Sequence, residues 1–558
     1  MAAILREAKQ NNQAPNWSLA NSVAVVAGVG LLHLAMLFAI NFQQAALIWP
    51  ITACLALWVA LRMSHSALAA FSLLLQVFSV PLFLLYQTDA PALAQLDALA
   101  DSGSLMNNSF NFWTPLVFGL AAWFSGDRLQ MAAKQSIDND ASMSAKSWLS
   151  LDVLLWAPVV WGLLWLLRAL FDEAAYRLLN PDLFSFIPTS RIAIVLMLSI
   201  VMSVLARWRN WSQMGQATFF TLPALMLIGL IELFRAAYGT GVFIPSQALG
   251  WLLWPIALAW HLRLLFVQAR WSEHFFRKLF HVCGFWFFVL LGAREVQWQM
   301  SSISQPWSAW PMLGWILVPA ISLWLVRSQF VLLRWPLTEF RQAYVEIAGT
   351  PVAAYLFLWC CISNVLSAGS AAPLPYIPLI NPLELGQWLV LAALVTWWRA
   401  LPVKAYDEQL KSTISKLVAA LALALITGMV LRTVHHWASV EWQFDSLFAS
   451  WLAQAAVSIT WAIAGVAAML FGNRRGSRSV WMAGAGLLVV VVLKLFIVEL
   501  ADRGGLYRIV SFIGVGVLLL VVGYFAPVPV KKESSHAEKS DLKPDAEPVS
   551  KPESGATV

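Results

Sequence analysis

Residues 190–208 read SRIAIVLMLSIVMSVLARW, and no charge falls between Arg191 and Arg207. A hydrocarbon core about 30 Å thick is crossed by about 20 apolar residues, at about 1.5 Å each in an α-helix. This length and composition predicts a transmembrane helix. The polar and apolar residues do not alternate in twos, as they would in an outer-membrane strand.

Fifteen further runs of this kind occupy the chain, near 19–40, 44–63, 66–86, 110–126, 148–170, 217–238, 246–268, 275–292, 308–326, 350–367, 385–399, 414–432, 446–471, 479–499 and 507–526. The expected fold is therefore all-α, a polytopic transmembrane helical bundle of about 16 spans. It fills residues 1–526 and is followed by a disordered cytoplasmic tail over 527–558. The tail is Pro-, Ser-, Lys- and Glu-rich, with 5 Lys against 6 Asp or Glu, and buries too little apolar surface to order itself. The segment 127–147 is polar and too short for a core of its own. The segment 87–109, rich in Ala, Asp and Ser, has room for a short helix. The first apolar run lacks a strongly basic flank and reads as a retained anchor, not a signal peptide.

Composition agrees. Of 558 residues, 60% are apolar and 12% charged, against about 25% charged in soluble domains. So few charges cannot cover that much soluble surface. The 31 tryptophans suit the headgroup level of a bilayer. A soluble enzyme, a disordered chain and a secreted disulfide scaffold are excluded. Cys54, Cys283, Cys360 and Cys361 all fall in apolar runs without C-x-x-C spacing, and read as small apolar residues. P-loop, H-E-x-x-H and G-x-S-x-G signatures are missing, so no cofactor, metal or ATP chemistry is expected. The pairs Gly28/Gly30, Gly484/Gly486 and Gly514/Gly516 suit close helix packing.

The net charge of +7 is read from its placement. With the amino terminus inside, the inner segments hold most of the 36 lysines and arginines, as the positive-inside rule requires. The loop with Asp89, Asp97 and Asp101 holds none and falls outside. Both termini are then cytoplasmic. The basic excess is a topology signal, and no clustered patch for nucleic acid is visible.

Polar residues inside spans are costly in lipid and face a cavity or a partner. Glu232 and Arg235, at i and i+3, share a helix face and can pair. Ser450, Gln454, Ser458 and Trp461 form a stripe that faces protein or water, by interhelical hydrogen bonding or as a pathway lining. Lys494 and Glu499 lie five apart, about 140° around the helix, so they do not both point into one narrow pocket unaided; snorkelling outward is one alternative for Lys494. Arg508 and Ser511 share a face. Arg277 and His281 share a face near the inside and read as interface anchors. His33 and Asp152 read as satisfied packing residues. On this topology Glu232, Arg235, His435, His436, Glu441, Lys494, Glu499, Asp502, Arg503 and Arg508 reach one level near the outer interface. Loops and pairing produce such a level by default; it also fits a water-filled outer cavity for an anionic headgroup or polymer.

The stretch from His435 to Pro529 resembles the end of a family of predicted bacterial membrane proteins, the domain of unknown function 2339. The similar features are His435–His436, the Ser450/Gln454/Ser458/Trp461 stripe, Arg474, Arg475, Trp481, LKLFIVEL with Lys494 and Glu499, RIVSFIGVG from Arg508, and GYFAP from Gly523. Glu499 stands where the family pattern suggests Asp. The resemblance is close over about 90 residues and general upstream. It implies a bacterial, multi-pass protein of the cytoplasmic (inner) membrane, and implies no substrate. Members are often longer, with a soluble or coiled-coil amino-terminal part, so the chain reads as a short member or as the carboxyl part of a larger protein.

Transport or permeation of a solute or lipid is the leading expectation. A membrane enzyme acting on lipid-linked envelope sugars at the periplasmic face is the second, and a non-catalytic envelope scaffold the third. The expected partners are the lipid bilayer and a lipid or anionic envelope ligand.

Overall fold

The computed structural model describes residues 17–495, apart from 41, 90–102, 139–151, 240, 268, 270–272, 306–307, 328–333 and 402–407, together with 513, 516, 517 and 520. Among these residues the fold is all-α, without strands. The longer helices are α1 (Leu19–Ala39), α2 (Phe42–Arg62), α3 (Ser66–Asp89), α4 (Gly103–Asp138), α5 (Asp152–Arg177), α6 (Ile187–Trp208), α7 (Thr221–Ala237), α8 (Gly250–Val267), α9 (His274–Ile303), α10 (Trp310–Arg327), α11 (Gly349–Leu366), α12 (Pro382–Ala400), α13 (Glu408–Ala438), α14 (Trp451–Arg474) and α15 (Arg478–Lys494).

Each of the first fifteen apolar runs coincides with one helix. Eleven helical segments are long and apolar enough to cross a membrane, and residues 310–326 form a shorter apolar one. The expected count of 16 is therefore not reached among the described residues. The helices over the two shortest runs, α4 and α12, fall outside the eleven, as does the 17-residue α15. The run at 507–526 and the tail at 527–558 lie outside the described residues, apart from four isolated positions. The polar segment expected after residue 126 is helical to Asp138.

Prolines inside α2, α3, α4, α5, α8 and α10 are of the kind that helices in lipid tolerate when neighbours satisfy the freed carbonyls. Exposed apolar side chains such as Leu31, Phe38, Leu74 and Ile463 present a surface suited to hydrocarbon.

The chain divides into two compact units. The first contains α1–α10, the start of α11 and the end of α12. Its largest core joins Ile192 and Leu196 of α6, Leu222 and Leu225 of α7, Trp254 of α8 and Phe287 of α9. The turn after α6 is tied to α4. Arg209 makes a two-pronged bond to Asp127 at 2.7 and 2.8 Å, and this partner holds its guanidinium above the ordinary value. In α1, His33 bonds Thr52 Oγ1 at 2.9 Å and the Val29 carbonyl at 2.8 Å, a satisfied packing role. His281 is no interface anchor: it is buried and bonded to the Tyr344 hydroxyl at 2.8 Å.

The second unit contains the rest of α11, the first half of α12, and α13–α15. Here α14 packs closely on α15. A Cβ on Gly484 would meet the Gly465 carbonyl at 2.6 Å, whereas Gly486 has open space around it. Of the glycines expected to permit close packing, Gly484 does so, Gly30 meets only the Phe71 ring, and Gly28, Gly486 and Gly516 have open space around them.

Candidate functional site

The candidate site lies in the first unit, where the ends of four helices meet. α7 ends at Ala237, and Gly239 takes a positive φ of 71°, the left-handed step that closes many helices. The chain then folds back over the start of α8, where a Cβ on Gly250 would run into the Pro245 carbonyl. Glu295 of α9 fixes this loop by accepting a bond from the Ser246 amide at 2.9 Å.

The loop, the start of α6, the end of α7 and the far end of α9 enclose an open cleft of about 710 Å³. Its charged lining is Arg191, Glu232 and Arg235, with Gln247, Trp254 and Trp298 nearby. Glu232 is only 8% exposed. Arg235 donates to its two oxygens at 3.3 and 3.2 Å, so the pair expected from the i,i+3 spacing forms. Arg191 is half-buried and has no side-chain partner among the described residues.

The other sequence-predicted residues in the described chain belong to the second unit. Ser450 caps α14 by accepting the Ala453 amide. Gln454 donates to the Phe448 carbonyl at 3.1 Å. Lys494 does not snorkel away: it donates to Ser458 Oγ at 2.7 Å and to the Gln454 carbonyl at 3.0 Å. Trp461 donates to Thr427 Oγ1 of α13 at 2.9 Å. Within the stripe, Ser458 and Trp461 make helix–helix hydrogen bonds, while Ser450 and Gln454 bond locally around the start of α14. Glu499, Arg508 and Ser511 lie outside the described residues, as do Asp502 and Arg503.

His435 and His436 sit at the end of α13, bonded to the Val440 and Ala368 carbonyls. His436 stacks on Tyr376 at 4.3 Å. Tyr376 leads to a buried group that the sequence did not single out. Arg432 of α13 is fully buried, and Glu384 of α12 is 1% exposed. Arg432 Nε reaches Glu384 Oε1 at 3.4 Å. The other guanidinium nitrogens donate to the Asn364 carbonyl at 3.3 Å, and to Asn364 Oδ1 and Gln387 Oε1 at 3.2 Å each. Glu384 also accepts from the Tyr376 hydroxyl, and from the Leu379 amide at 2.7 Å. Gly369, with φ of 73°, makes room for the arginine stem: a Cβ there would meet Arg432 Cδ at 2.7 Å. Burial and the bond to Glu384 push the Tyr376 phenol well above its ordinary range. Every polar atom named here is engaged, and the network anchors the segment 367–381 to α12 and α13.

Among the described residues no group of three or more His, Cys, Asp or Glu is placed to hold a metal ion. Comparison with known families decides the relationship. The family described as predicted membrane proteins, DUF2339, matches residues 1–529. The chain belongs to the DUF2339 family. The match covers nearly the whole chain, well beyond the 90 residues of close resemblance at the carboxyl end, so the cleft residues Arg191, Glu232 and Arg235 fall inside it. No curated protein and no solved structure matches the chain.

Proposed function

We propose that this protein moves a solute or a lipid across the bacterial cytoplasmic membrane, and that the cleft between α6, α7, α8 and α9 is where the ligand binds at the periplasmic face. One observation carries this reading. A charged, open concavity of about 710 Å³ is cut into the ends of membrane-length helices, and its size is that of a small-molecule site. Charge at that depth is costly unless it serves a ligand or a partner. The distribution of Lys and Arg supports outward-facing helix ends here and two cytoplasmic termini.

The enzyme reading draws less support. An acid or base must offer a free hydrogen-bonding position to the reacting atom. Glu384 has both oxygens engaged by Tyr376, Leu379 and Arg432, and His435 and His436 each commit one ring nitrogen to a backbone carbonyl. The test is flux. Full-length protein in liposomes is offered a broad panel of labelled solutes and lipids. At least one should cross faster than in empty liposomes, and Arg191→Gln should slow it. A panel without any flux would overturn the proposal.

A further inference from the structure

We infer that the cleft takes a phosphodiester monoanion, with Arg191 as its main ligand and Glu232 as the residue that sets the charge accepted; this rests on the cleft being the binding site proposed above. Arg191 lines the cleft and has no side-chain partner among the described residues. A half-buried guanidinium without a side-chain partner calls for a counter-charge. Its fork of donors fits two oxygens of one anion.

The count of charges then limits the ligand. Two guanidiniums and one carboxylate line the cleft, which leaves one positive charge. A ligand with one negative charge neutralises it. A second negative charge would stand near the buried Glu232, where low dielectric makes repulsion costly. Behind the wall, Arg294 and Glu295 of α9 carry opposite charges and bond Gln297 and the Ser246 amide, so they leave the count unchanged. Arg235 is exposed and can reach a ligand oxygen from its place beside Glu232. The remaining lining includes Phe184, Ile187, Val242 and Ile244, an apolar side suited to the root of an acyl chain. A phosphodiester has one charge and carries substituents on both sides, so it meets both demands.

The test uses the full-length chain in detergent micelles and titration calorimetry at pH 8. Four probes are compared: dihexanoylphosphatidylglycerol, dihexanoylphosphatidic acid, dihexanoylphosphatidylcholine and glycerophosphoglycerol. The phosphatidic acid is a monoester and carries close to two charges above its second pKa of about 6. The phosphatidylglycerol should bind more tightly than the phosphatidic acid and the phosphatidylcholine. Arg191→Gln should weaken it about tenfold or more, and Arg191→Lys should recover part of the loss. Glu232→Gln keeps the side-chain shape and should raise the phosphatidic acid relative to the phosphatidylglycerol by about tenfold. Equal binding of glycerophosphoglycerol would assign a soluble diester; much weaker binding would assign a lipid headgroup; both keep the charge class. A wild type that prefers the phosphatidic acid, or a preference unmoved by Glu232→Gln, would overturn the inference. Intact preferences without flux in liposomes would instead remove only the transport reading.

Discussion

Arg432 and Glu384 make the sharpest stability prediction. Arg432→Met removes a fully buried charge and leaves Glu384, 1% exposed, with the Tyr376 hydroxyl and the Leu379 amide. Glu384→Gln leaves the guanidinium with neutral acceptors only, at Asn364 and Gln387. Breaking a buried pair from one side costs about 3–5 kcal/mol, because the other charge is stranded. The variant with both changes strands neither charge, so it escapes the penalty that each single carries. It should therefore cost less than the two singles together, by about 1–3 kcal/mol of coupling. Thermal unfolding in nanodiscs, followed by circular dichroism, reads this directly. With about 2–4 °C per kcal/mol for a unit of this size, each single variant should lose roughly 10 °C. The double should lose markedly less than the sum. Singles that add to within about 0.5 kcal/mol, or singles without loss, would refute the view that the two charges hold each other.

Two further outcomes follow from local geometry. Gly484→Val should separate α14 from α15, since its Cβ would meet the Gly465 carbonyl and Met469, while Gly486→Val, with open space around it, should leave Tm unchanged; equal losses would contradict the packing described. The raised Tyr376 phenol keeps its proton in the fold past the ordinary value of about 10. Its stabilising contribution is complete below that pH and is lost as pH rises through the folded value. Wild type should thus lose stability relative to Tyr376→Phe only above about pH 10, without a phenolate absorbance difference between the two below that point. A phenolate step assigned to Tyr376 at its ordinary pH would refute this.

The helices were legible because hydrocarbon thickness sets a length that apolar runs must meet. Their ends were less so. The apolar run of α9 stops near residue 292, yet the helix continues to Ile303. Its last turns are held by polar side chains four apart, Gln299 donating to Glu295 and Gln297 donating to Ser301. Hydropathy marks where lipid ends, and a helix need not end there. The Glu232–Arg235 pair was legible because three residues along a helix is a short, fixed distance. Arg191 was passed over as one of the few basic residues outside the inner segments, although an arginine at an outer span edge does not serve the orientation signal and was itself the available clue. Arg432 and Glu384 also fall at span edges, 48 residues apart in sequence. Only the folding of the segment 367–381 brings them together, and no local spacing encodes that. One clue was available: both stand at helix ends expected on the same side of the membrane.

The bond from Lys494 to α14 also bears on how the protein is made. A lone lysine entering the bilayer costs up to about 2.5–3.5 kcal/mol on translocon scales. In chain order α14 emerges from the ribosome before α15. The Ser458 hydroxyl and the Gln454 carbonyl are therefore synthesised before Lys494, which they bond in the folded chain. The order of synthesis thus provides the acceptors before the charge that needs them.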